Sequence, residues 1–168
     1  MQERLAAIRL FALDVDGVLT DGRVWYLDDG GEAKAFHTHD GLGLKRARQA
    51  GIELALITGR HSPAARRRAG ELGIAAMHEG VTDKGRCLSE LADASGIPLA
   101  ACAFMGDDEP DLPALAAAGL ALAPANAVAA VRAVADWCST RNGGDGAVRE
   151  ACELMLGARE GRAGPPPA

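Results

Sequence analysis

Short apolar runs that stop abruptly at polar residues alternate with longer mixed segments along the chain. Leu10-Phe11-Ala12-Leu13 ends at Asp14, Glu53-Leu54-Ala55-Leu56-Ile57 at Thr58-Gly59-Arg60, and Ala101-Cys102-Ala103-Phe104-Met105 at Gly106-Asp107-Asp108. Runs this short and continuously apolar predict strands buried on both faces, as in a parallel sheet. Ile74 to Met77 and Leu120 to Ala123 predict two more. Between them lie segments with helix signals: Gly41 to Ala50, stopped by Gly51; Ser62 capping a helix with Pro63 at its first position and Gly73 at its end; Thr82 capping a helix that carries Lys84; a short helix from Pro110; another from Asn126 to about Ala135; and a last one over residues 147–157. Val24 to Tyr26 and Ala33 to Phe36 flank Asp28-Asp29-Gly30-Gly31, a hairpin signal. Met1 to Arg9 reads as a short lead-in.

Strands alternating with helices predict an α/β fold, a doubly wound and mostly parallel sheet with helices on both faces. At 168 residues the chain suits one domain, placed here at 1–157, with the Gly/Pro-rich stretch 158–168 expected to be a disordered tail. The formal net charge of -5 argues against a nucleic-acid binder and, for a protein handling phosphate, asks for a cation. Cys87, Cys102, Cys138 and Cys152 lack zinc-ligand spacing and follow no signal peptide, so they read as small buried hydrophobes in a reducing cytoplasm. No apolar run reaches membrane-spanning length.

In a doubly wound sheet, ligands bind beyond the carboxyl ends of the strands. Asp14 and Asp16, two apart on an extended strand, share a side, and two carboxylates there repel unless a cation neutralises them. Asp107 and Asp108 end another strand of the same sheet, and converging carboxylates make a hard-oxygen site suited to Mg²⁺. Thr58 offers a hydroxyl beside the bare amides after Gly59, a phosphate cradle. Lys84, in the first turn of a helix, opposes the helix dipole and needs a carboxylate or phosphate nearby. Each cluster alone also reads blandly, as an acidic turn, a helix-entering turn or a solvated lysine.

Their order along the chain is more specific. Asp14-Val15-Asp16-Gly17-Val18-Leu19-Thr20, Thr58, Lys84 and Gly106-Asp107-Asp108-x-x-Asp111 resemble the four motifs of the haloacid dehalogenase superfamily. The resemblance implies that Asp14 is a nucleophile forming an aspartyl-phosphate and that Asp16 is the general acid and base. Mg²⁺ would bind Asp14, the Asp16 main-chain carbonyl and Asp107. Thr58, Gly59 and Lys84 would hold the phosphoryl oxygens, with Asp108 and Asp111 orienting Lys84 and the metal's waters. The gaps between Asp16 and Thr58 and between Lys84 and Asp107 leave no room for a cap domain.

The extended first motif through Gly22, Phe36 to Gly43, Ile57-Thr58-Gly59-Arg60 and Gly143-Gly144-x-Gly146-Ala147-Val148-Arg149-Glu150 are similar to the 3-deoxy-D-manno-octulosonate 8-phosphate phosphatases. That family likeness implies release of the sugar acid for lipopolysaccharide synthesis, and a homotetramer joined through the hairpin. The same likeness implies that Arg60 with Glu71 favours the eight-carbon acid over nonulosonate 9-phosphates, and that Arg60 and Arg68 would pair its carboxylate. Asp145 and His39 stand where the family often has Arg; His37 and His39 read as a metal pair or as polar surface. A phosphatase for another small sugar phosphate stays open. A receiver-like phosphate-binding module is a further alternative, although no acceptor Asp ends the strand at Thr58. So is a non-catalytic oligomeric scaffold.

Overall fold

Strand residues alternate between two apolar layers, and apart from Glu53 every residue of the strands at 10–13, 53–57, 102–105 and 120–123 is buried. Phe11 and Leu13, Leu54 and Leu56, Ala103 and Met105, and Leu120 and Leu122 point into one cluster; Leu10 and Ala12, Ala55 and Ile57, Cys102 and Phe104, and Ala121 and Ala123 point into the other. This is the period-two alternation of a sheet covered on both faces. Burying Phe11 or Phe104, one on each side and both fully enclosed, contributes about 1.5–3 kcal/mol.

The computed structural model describes residues 1–161. In chain order its elements are α1 (Gln2–Ala6), β1 (Leu10–Leu13), β2 (Trp25–Tyr26), β3 (Glu32–Ala33), α2 (Thr38–Gln49), β4 (Glu53–Ile57), α3 (Pro63–Leu72), β5 (Ala76–His78), α4 (Lys84–Ser95), β6 (Cys102–Met105), α5 (Leu112–Ala117), β7 (Leu120–Ala123), α6 (Ala129–Val134), β8 (Trp137–Cys138) and α7 (Ala147–Arg159). The sheet is six-stranded and parallel, in the order β5-β4-β1-β6-β7-β8. The chain builds outward from β1 to β4 and β5, then returns to the other side of β1 with β6. The crevice beyond β1 and β6 is therefore the topological switch point, where such sheets bind ligands.

Several expected boundaries move. Helix α1 was not foreseen, nor was β8, a two-residue strand defined only by its pairing with β7. Asp83, not Thr82, caps α4 and accepts from Arg86 N–H at 2.9 Å, which makes Lys84 the first helical residue. Helix α2 starts three residues before Gly41 because His37 Nδ1 accepts from His39 N–H at its N-terminus. Helix α7 continues to Arg159, so residues 158 and 159, expected in the tail, are helical; residues 162–168 lie outside the described residues. Ser62 caps α3 as read, and the hairpin forms with Trp25 opposite Ala33.

Candidate active site

Asp14 extends β1 by one residue: its N–H donates to the Met105 carbonyl at 3.0 Å, and the carboxylate turns into the crevice, 7% exposed. The chain then folds back sharply. The Val15 carbonyl accepts from Leu19 and Thr20, and Thr20 Oγ1 from Gly22 N–H at 3.2 Å. Gly17 has φ +95, and a Cβ there would meet Asp107 Oδ2 at 2.0 Å, so glycine is what lets the two acidic loops touch. A second loop braces this turn. Gly144 N–H donates to the Val18 carbonyl at 3.0 Å, and a Cβ on Gly143 would fall 1.7 Å from the Gly17 carbonyl oxygen.

Asp14, Asp16, Thr58, Gly59, Arg60, Lys84, Asp107, Asp108 and Asp111 all line one open cleft of about 330 Å³ at this edge. Thr58, 2% exposed, ends β4; its N–H donates to the His78 carbonyl and its Oγ1 accepts from Arg60 N–H at 3.3 Å. Lys84 is 4% exposed, with its ammonium 2.6 Å from Asp111 Oδ1 and 2.9 Å from Asp14 Oδ1. The other oxygen of Asp111 accepts from Asp107 N–H at 2.9 Å and Asp108 N–H at 3.2 Å. Asp111 thus ties the acidic loop to the lysine. The Asp108 side chain accepts from Glu109 N–H at 2.8 Å and caps the short turn Glu109–Asp111.

Crowding perturbs the acids. Burial, helped by the charge of Asp111 and opposed by Lys84, pushes Asp14 up to about 6; burial followed by the charges of Asp14 and Asp111 pushes Asp107 up to about 7. Burial alone would lower Lys84, but Asp14 and Asp111 outweigh it and hold the ammonium above its usual range. Asp14, Asp107 and Asp111 each offer an oxygen within 4.8 Å of the others. Both oxygens of Asp111 are already engaged, whereas Asp107 Oδ1 is buried with no hydrogen-bond partner. A buried carboxylate oxygen left orphaned beside a second buried carboxylate fits a divalent hard cation held by Asp14 and Asp107.

Lys34 and Glu32, which sequence reading missed, enter from the hairpin. Lys34 Nζ lies 2.7 Å from both oxygens of Asp16, and Arg60 lies 3.7 Å from Asp16 and 3.6 Å from Glu32. The expected substrate role of Arg68 is not met within the chain. Its guanidinium lies over the Phe36 ring, donates to the His37 carbonyl at 3.4 Å and pairs with Glu71, outside this cleft. Glu71 pairs with Arg67 and Arg68 and does not line the cleft either. His37 and His39, edge to face at 4.9 Å, line a separate cleft of about 490 Å³ with Arg141, Asp145 and Arg149.

A family model for haloacid dehalogenase-like hydrolases matches residues 32–119. The 3-deoxy-D-manno-octulosonate 8-phosphate phosphatase of Haemophilus influenzae is 40% identical over 159 residues, 95% of this chain and 88% of that protein. The chain belongs to the haloacid dehalogenase-like hydrolases, in the octulosonate 8-phosphate phosphatase family. Among solved members, the Moraxella catarrhalis phosphatase in complex with magnesium ion, phosphate ion and KDO superposes with a TM-score of 0.93 at 48% identity, covering 95% of this chain and 91% of that one. The cobalt-bound Haemophilus influenzae phosphatase superposes at 0.91 with 39% identity, covering 94% and 92%. The hydrolase fold therefore extends over β1, β8 and α7, beyond the matched segment.

Proposed function

We propose that this chain hydrolyses 3-deoxy-D-manno-octulosonate 8-phosphate through an aspartyl-phosphate on Asp14, releasing the sugar acid used in lipopolysaccharide synthesis. The observation that carries the reading is the meeting of Asp14, Thr58, Lys84 and Asp107 in one cleft, in a chain 48% identical to a phosphatase solved with magnesium, phosphate and KDO.

The Asp14 carboxylate attacks phosphorus while the bond to the sugar oxygen breaks, and Asp16 gives its proton to that oxygen. Water then attacks the same phosphorus as Asp16 takes its proton, freeing inorganic phosphate and restoring the Asp14 carboxylate. Thr58, the Gly59 amide and Lys84 hold the transferring oxygens, and Asp111 holds Lys84. Asp14, the Asp16 main-chain carbonyl and Asp107 would hold Mg²⁺, which when bound neutralises the charge that keeps an anionic nucleophile from a phosphate dianion. Arg60, half-exposed at the mouth, pairs with the substrate carboxylate.

The chain acts as one capless domain. Trp25 and Tyr26, 65% and 76% exposed on the hairpin, support a homotetramer in which a second copy covers them and walls the cleft. Four free cysteines and the absence, among the described residues, of any helix long and apolar enough to cross a membrane fit a cytoplasmic enzyme. A panel of sugar phosphates assayed with Mg²⁺ tests the substrate. The eight-carbon keto acid phosphate is expected to exceed the nine-carbon one by about tenfold or more in kcat/KM. Equal, feeble rates on both would overturn the substrate while leaving the reaction class.

A further inference from the structure

We infer that Lys34, on the hairpin and outside the superfamily's four motifs, is the positioning residue for Asp16. The inference rests on the acid–base role proposed for Asp16.

Among the described residues, both hydrogen bonds to the Asp16 carboxylate come from the Lys34 ammonium, one to each oxygen at 2.7 Å. The Lys34 side chain is 0% exposed and that of Asp16 17% exposed. A buried ammonium persists only where it is paired, so the lysine cannot exchange Asp16 for solvent as a surface partner would. The contacts form a closed ring of alternating charge. Lys34 touches Asp16 at 2.7 Å and Glu32 at 3.8 Å, and Arg60 touches the same two acids at 3.7 and 3.6 Å. Arg60 is 47% exposed and its contacts to these two acids are long, which leaves Lys34 as the member that fixes the direction of the carboxylate.

The local chain explains why Asp16 needs this help. Asp14 is held at the end of β1 by the sheet and by Lys84, whereas Asp16 stands past the last paired residue, one before the turn at Gly17. A carboxylate that must face the leaving oxygen and later a water gains from having its rotation stopped beforehand. The hairpin supplies that stop from outside the sheet.

The test is a double-mutant cycle on the full-length, magnesium-loaded enzyme, using the sugar phosphate and p-nitrophenyl phosphate. Lys34→Met is expected to lower kcat on the sugar phosphate by about 10²-fold with KM little changed. Release of p-nitrophenol in the first turnover, whose leaving group needs no acid, stays near wild type. Lys34→Arg restores part of the loss. In the Asp16→Asn background, Lys34→Met has no further effect, because the group it positions is gone. Three results would overturn the inference: multiplied losses in the double variant, a raised KM at constant kcat (Lys34 then binds substrate), or equal losses on both substrates with a lowered melting temperature. Failure of the underlying reading is distinguishable, since Asp16→Asn alone would then retain its activity.

Discussion

Asp14 is one of the enclosed side chains of the cleft. It is nearly buried, faces Lys84 and has an oxygen within 4.8 Å of those of Asp107 and Asp111, an arrangement costly for carboxylates without a further cation and suited to a nucleophile with one. Arg60 is the opposite case. It is half-exposed, lies 3.7 Å from Asp16 and 3.6 Å from Glu32, also meets Tyr26, and stands at the mouth of the cleft. Surface pairs of that kind contribute little to folding, so its removal is expected to leave the melting temperature nearly unchanged. Arg60→Ala is expected to raise KM for the keto acid phosphate by about 10- to 100-fold, the scale of a charge-assisted contact, and to leave p-nitrophenyl phosphate hydrolysis near wild type. Steady-state kinetics on the two substrates check this; an equal loss on both would place Arg60 on the phosphoryl group instead.

At the scale of elements, the cleft depends on turns that no strand or helix supplies. The glycine loop before α7 presses directly on the turn after β1. Gly143→Ala would drive a methyl to 1.7 Å from the Gly17 carbonyl oxygen, a backbone atom with no rotamer to yield. The expected result is a loss of about 1–3 kcal/mol of stability and a fall in kcat, because the displaced turn carries Gly17 against Asp107. Chemical denaturation with parallel kinetics measures both; unchanged stability would mean the loop is free to move. The elements that sequence pattern revealed are those with enough residues to show a period. β1, β4 and β6 announce themselves by apolar runs that stop at polar residues, β7 by an apolar run alone, and α3 by Ser62 and Pro63. Two residues, Trp137 and Cys138, have no period to read, and β8 exists only through its neighbour. Thr82 and Asp83 are both good caps, and the fold uses the one nearer the helix.

Across the whole molecule, the same division holds for the site. Asp14, Thr58, Lys84, Asp107 and Asp111 were legible because sheet topology gathers strand ends. Lys34 and Glu32 were not, because the docking of a hairpin over a cleft is a tertiary fact. Arg68 stands outside the cleft because its direction depends on Phe36 and His37, distant in sequence. The gathered charge also links metal, pH and stability. Asp14 at about 6 and Asp107 at about 7 lie above their ordinary 3.8, so without metal the fold prefers both protonated. Their stabilisation is complete below about pH 4 and lost as pH rises through 6 and 7. Asp40, also raised by burial, acts in the same direction, whereas Glu32, Glu79 and Asp136 are lowered and finish titrating below this window. Metal-free protein is therefore expected to melt at a lower temperature at about pH 8 than at about pH 5, with Mg²⁺ raising the midpoint more at the higher pH. Calorimetry in chelator and in Mg²⁺ checks the sign; a metal-free midpoint that rises between those two values would contradict the burial of these acids.

The covalent step is open to direct observation. Enzyme quenched during turnover with Mg²⁺ and the sugar phosphate, then reduced with borohydride, is expected to yield a peptide in which residue 14 has become homoserine, the reduction product of an aspartyl-phosphate. Omitting either Mg²⁺ or substrate should abolish the conversion. Reduction at any other carboxylate, or at none while phosphate is released, would contradict the assignment of Asp14 as nucleophile.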